Sequence, residues 1–213
     1  LETLYRIEPQ LDVRLFVVDD DERQRSLRGG RQRAGDGADR RPREQLLVAG
    51  NGDEISLGLY LDAAALANLE RHDPRGGLHE HNFGDFLLAV EGVSHFVYVA
   101  ACAAANRAVT ALELELQAEV DKFVSCVLHD DQLAQAPHEL RARLYENVHY
   151  ANDLDDDERA RYRAANFEAR RYAGTLERRY LRGQAVPAML AELRVFYRLS
   201  LEGKLGHIAR TAA

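Results

Sequence analysis

The chain has 213 residues, 46% of them apolar and 30% charged, a balance that supports a globular core and excludes wholesale disorder. Its net charge of −7 speaks against a dedicated nucleic-acid binder, whose footprint is basic. No stretch of about 18 uninterrupted apolar residues marks a membrane span, and no basic segment followed by an apolar run opens the chain.

The first apolar run, 13–19, is rich in Val and suits a buried strand. Residues 20–44 follow with eight arginines, several glycines and no apolar periodicity. They read as a mobile Arg/Gly-rich loop whose charge could meet an anionic partner. In 45–61 two apolar segments flank Asn51-Gly52-Asp53, a hairpin-turn signature, and Ile55, Leu57, Leu59 and Leu61 alternate with smaller or polar residues as in a half-buried strand. Asp62 is placed to cap a helix over 63–71. Residues 72–82 form a loop by their Pro and paired Gly, and His79 and His81 within it are spaced as a metal clip.

A helix is expected over 83–91, ended by Gly92. The Val and aromatic content of 93–102 and the alternation of 109–115 predict a second hairpin, closing near Ala105. From about Leu116 the period becomes helical, to about residue 133. A shorter helix follows over 138–151. A long one then runs from about 157 to 182, with Tyr162, Ala165, Ala169, Tyr172, Leu176 and Tyr180 on one stripe. Pro187 opens a last helix, to about 202 or 209, that would bury Leu190, Leu193, Phe196, Tyr197 and Leu201. The expected architecture is one α+β domain over 1–213. A small, mostly antiparallel sheet, with hairpins near 45–61 and 93–115, is covered by helices, and 155–209 forms an antiparallel helical hairpin.

The chemistry-bearing stretch is TALELELQAEVDKF, 110–123. In the expected second hairpin His95 falls opposite Glu115, and one polar face carries His95, Glu113 and Glu115. Two carboxylates and an imidazole can hold a divalent metal ion, so His95, Glu113 and Glu115 are candidate ligands. A carboxylate beside an imidazole also makes a general base. Hence His95, Glu113, Glu115 and Glu119 are candidate catalytic residues, with Glu91 at the same cleft and Glu119–Lys122 an ordinary intrahelical ion pair. Glu113-x-Glu115-x-Gln117 departs from the Glu-x-Glu-x-Lys strand of triphosphate-tunnel enzymes, with Gln in the lysine's place and too few strands for a tunnel.

Two functions follow as expectations. One is an enzyme acting on an anionic, phosphorylated small molecule, assisted by a divalent metal ion. The other is a non-catalytic interaction or regulatory protein whose C-terminal helices bind a partner or a second copy, the acids being solvated edge charges. Cys102 and Cys126 sit in apolar runs and form no C-x-x-C pair, which suits buried thiols in a reducing cytoplasm.

Overall fold

The alternation around Asn51 builds the hairpin it predicts, and most of the remaining chain is helical. The computed structural model describes residues 1–8, 11–28, 32–33, 42–51, 54–146, 148, 150 and 154–212. In chain order it begins with α1 (Glu2–Tyr5), a 3-10 turn (Val13–Phe16), β1 (Val17–Val18), α2 (Asp20–Arg28), β2 (Gln32–Arg33), β3 (Glu44–Asn51) and β4 (Glu54–Leu61). There follow α3 (Ala63–Arg71), α4 (Phe83–Ala104), α5 (Ala111–His129), α6 (Asp131–Gln135) and α7 (Pro137–Tyr145). The last elements are α8 (Asp156–Leu176), α9 (Val186–Tyr197) and α10 (Leu201–Thr211). The contacts gather into two units: a sheet unit, Pro9–Ala108, and a helical unit, Leu1–Glu8 with Val109–Ala213.

The fold is α+β, with a mixed rather than purely antiparallel sheet in the order β1-β4-β3-β2. β3 and β4 pair antiparallel from Glu44↔Leu61 to Asn51↔Glu54, and β1 joins β4 in parallel. Gly52 and Asp53, at the expected turn, lie outside the described residues. Leu46, Leu47, Leu59 and Leu61 are buried, whereas Ile55 at the strand end is exposed. Asp62 caps α3 as its position predicts, accepting the Ala65 N–H at 3.0 Å.

Three expectations for this unit are corrected. Of the run 13–19 only Val17 and Val18 are strand. The first part of the expected 20–44 loop is α2; residues 29–31 and 34–41 lie outside the described residues. Helix α2 has its acids in the first turn and arginines in the last, matching the helix dipole. Asp19 accepts the Glu22 N–H at 2.8 Å, and Arg23 pairs with Asp20. The third correction concerns 93–102, which is the second half of α4 rather than a strand, with Gly92 inside the helix rather than at its end. Helix α4 packs along β3 and β4. Residues 94–99 are all buried, so the polar–apolar contrast that reveals a helix is missing there. Among the described residues α4 alone is long and apolar enough, by length and composition, to cross a membrane; 44% of that apolar window is buried inside the protein.

In the helical unit the expected strand 109–115 is the start of α5, capped by Thr110, whose hydroxyl accepts the Glu113 N–H at 3.2 Å. Helix α8 opens with a capping box, Asp155 accepting from Glu158 N–H at 2.7 Å while Glu158 accepts from Asp155 N–H at 3.1 Å. It packs against α5, α7 and α10. Its last turn widens into a π-turn, Glu177–Leu181. The final segment breaks at Arg198–Ser200 into α9 and α10 instead of continuing, and α9 buries Met189, not Leu190, with Leu193, Phe196 and Tyr197. Helix α1 packs on α9: Arg194 donates to the Leu4 carbonyl at 2.9 Å, and Arg198 to the carbonyls of Tyr5 and Arg6 at 3.1 Å each.

Candidate functional site

His95 is buried in the middle of α4, which the sheet unit holds against β3 and β4. Its Nδ1 lies 3.4 Å from a carboxylate oxygen of Glu44, the first residue of β3. Glu91 precedes His95 by one helical turn, and their donor atoms come within 4.8 Å of each other. The close approach of strand and helix has a residue behind it. A Cβ at Gly92 would stand 2.9 Å from Glu44 Cγ and 3.0 Å from Leu59 Cδ1 and Leu61 Cδ2, so any larger residue there makes these side chains shift.

This geometry has a defined chemical range. A carboxylate facing one ring nitrogen fixes the orientation and tautomer of an imidazole and raises its basicity, whether the ring then acts as a base or as a metal ligand. Glu91 adds an oxygen donor on the same side of the helix, and a mixed N,O set suits manganese, iron or zinc. Glu44 was not among the sequence candidates, because it closes the Arg-rich segment and carries no motif of its own.

The other candidates belong to the helical unit. Glu113, Glu115 and Glu119 all lie on α5. The expected hairpin that carried His95, Glu113 and Glu115 is corrected, because both of its arms are helical; Glu113 and Glu115, two residues apart on α5, point to different sides of it. Both are buried, at 2% and 5% exposure. Glu115 and Glu119 do share a side. Glu119 pairs with Lys122 at 2.6 Å, as the spacing predicts, and its carbonyl accepts the Tyr145 hydroxyl at 2.9 Å.

The helical unit also holds a buried polar chain that sequence reasoning missed. The Tyr5 hydroxyl donates to Asp121, Gln117 donates to Asp121 at 2.8 Å, and Lys204 donates to the Gln117 side-chain carbonyl. Lys204 is fully buried, with its ammonium 4.4 Å from the centre of the Phe196 ring. Burial and the neighbouring Asp121 push the Tyr5 phenol well above its usual range, which keeps it a donor. On the same unit Glu192 accepts from Tyr172 at 3.3 Å and bonds His207. The one available hint was Asp121 itself, an acid flanked by Val120, Phe123 and Val124. No family model, curated protein or solved structure matches the chain.

Proposed function

We propose that the protein is a metal-assisted hydrolase or transferase acting on an anionic, phosphate-bearing small molecule. The observation that carries this reading is the Glu44–His95–Glu91 arrangement: a buried imidazole with one carboxylate oxygen 3.4 Å from its Nδ1 and a second carboxylate one helical turn away. Glu91 and His95 supply metal donors, and Glu44 orients the ring. A divalent cation held by Glu91 and His95 would supply Lewis-acid activation of a water and of a phosphoryl oxygen. Glu113, Glu115 and Glu119, on α5, are kept as candidates by residue type alone, since both arms of the expected hairpin are helical. The arginines of 23–43 favour an anionic substrate by steering it. The cytoplasm is the proposed location, supported by two buried cysteines outside any disulfide.

The test is metal analysis of the purified chain with a thermal-shift titration of Mn²⁺. Stoichiometric metal and a raised melting temperature, both lost in Glu91→Gln and His95→Gln with the helical signal retained, support the proposal. No metal and no shift in the parent protein overturn it. Glu113→Gln and Glu115→Gln, measured the same way, test the sequence-derived ligands.

A second reading is an interaction protein that self-associates through its C-terminal helices. It is favoured by two large exposed apolar side chains, Phe167 on α8 and Val195 on α9, at 59% and 57% exposure. Substituting both with Ser leaves an elution volume unchanged if that reading is wrong.

A further inference from the structure

Between α3 and α4 the chain makes a tight turn that carries three histidines. His72 is the C-terminal cap of α3, its N–H bonded to the Asn68 carbonyl at 2.8 Å. His79 and His81 come just before α4. The three imidazole rings form a nearly equilateral triangle, with centroids 5.8 Å apart for His72–His79, 5.6 Å for His72–His81 and 5.8 Å for His79–His81.

The backbone under these rings is pinned by two asparagines. Asn82, fully buried, accepts the His79 N–H at 2.8 Å and donates to the carbonyls of His72 at 3.2 Å and Gly77 at 3.0 Å. Asn68 donates to the His81 carbonyl at 2.7 Å and also to Asp85 at 2.7 Å. Between them Asp73 caps a 3-10 turn, Pro74–Gly76, and pairs with Arg75, and a Glu80 carboxylate oxygen lies 3.5 Å from His81 Nε2.

We infer that this turn is a transition-metal site of the zinc class, with His72, His79 and His81 supplying three imidazoles and a fourth position left for Glu80 or water. The ring spacing brings the three imidazoles near one point, and the rings must turn inward to close on an ion, because their nitrogens do not all lie within 4.8 Å of one another. Around a tetrahedral zinc ion with nitrogens about 2.0–2.1 Å away, three imidazole ring centres stand roughly 5 Å apart. The observed triangle is within about 1 Å of that. His79 and His81 are exposed, so their rings can rotate into place without disturbing a core. Coordination through His79 Nδ1 displaces a long bond, the one it accepts from the His81 N–H at 3.3 Å. An all-imidazole set prefers zinc, copper or nickel over magnesium or calcium. The site is separate from the Glu44–His95–Glu91 arrangement and does not depend on it.

The experiment is titration of the full chain with Zn²⁺ against a chromophoric chelator, followed by Co²⁺ substitution and its visible spectrum. The expected result is one equivalent of Zn²⁺ bound by the turn and a four-coordinate cobalt spectrum. His72→Ala and the double variant His79→Ala/His81→Ala should each weaken that equivalent at least about tenfold. Glu91→Gln keeps it, so failure here and failure of the proposed function are read separately. His79 and His81 are exposed, so their replacement leaves the fold intact, which a thermal melt verifies. Zinc stoichiometry and affinity unchanged in the double variant, or a six-coordinate cobalt spectrum in the parent protein, would overturn the inference.

Discussion

Gly92 and Glu44 are in contact through the absence of a side chain: a methyl group at 92 would lie 2.9 Å from Glu44 Cγ, closer than packed atoms allow. The helix interior ordinarily disfavours glycine, by about 1 kcal/mol relative to alanine. Here the gain from alanine's propensity is outweighed by overpacking against Glu44, Leu59 and Leu61. Gly92→Ala should therefore destabilise the protein by about 1–3 kcal/mol in urea denaturation and weaken any metal binding that depends on Glu44 orienting His95. A variant as stable as the parent protein would show that strand and helix can separate freely.

Tyr5 ties the N-terminal segment to the helical unit by its bond to Asp121 and by stacking on Tyr197, with ring centroids 4.0 Å apart. Phenylalanine keeps the stacking and removes only the donor. Tyr5→Phe should cost about 1.5–3 kcal/mol, the range for a hydrogen bond to a charged acceptor. Equilibrium unfolding measures it, and a cost near zero would mean that Asp121 is fully served by Gln117.

Glu177, at the start of the π-turn, sits between Arg141 at 3.2 Å and Arg182 at 3.0 Å. Burial raises its pKa, but the hydrogen bonds and charges of the two arginines outweigh this and hold the carboxyl below its usual range. A carboxylate depressed on folding adds stability above its unfolded pKa and loses it as pH falls through the folded value. The parent protein should therefore lose stability on acidification in that window, and Glu177→Gln should lose less over the same interval. Melting temperature against pH, for both proteins, checks the slope.

Cys126 is buried in α5, and burial pushes its thiol up to about 12. Because the thiolate is the reactive form, alkylation at pH 8 should be at least a thousandfold slower, in rough terms, than for the unfolded chain. Mass-spectrometric mapping after iodoacetamide treatment, with and without urea, reads this out. Fast labelling of the native protein would place Cys126 in a readily opened region.

The parts of the fold that could be read from sequence are those with one wet and one dry face. Leu59 and Leu61 alternate with smaller or polar neighbours, so β4 was evident, and Asp62 announced the helix it caps. The parts misread are buried all round. In α4 the six residues 94–99 are all buried, as are 113–118 in α5. With no exposed face there is no 3.6-residue rhythm, and local composition, Val and aromatic in one case and alternating Leu and Glu in the other, suggested strand instead. Burying Glu113 and Glu115 made the pattern misleading, because acids ordinarily mark the solvent side. One signal did point the right way: Thr110-x-x-Glu113 is a helix-start spacing, and Thr110 caps α5. His95 was identified as a candidate for the wrong reason, a cross-strand partner, whereas the carboxylate facing it in the sheet unit comes from Glu44, 51 positions earlier in the chain.

The bond from Arg194 to the Leu4 carbonyl spans 190 positions of sequence, and this orders events during synthesis. The sheet unit is a continuous stretch, complete once Ala108 has been made. Helix α1 can meet Asp121 once α5 is made, but the Tyr197 ring it stacks on and the arginines that bond its carbonyls arrive only with α9 and the residue after it. At a translation rate of about 5–20 residues per second, the interval between Ala108 and Arg198 lasts roughly 5 to 20 seconds. During it the nascent chain carries a finished sheet unit beside an α1 without its mate, with the apolar stripes of α5 and α8 unclosed. That is the stage at which chaperone capture or aggregation would compete with folding.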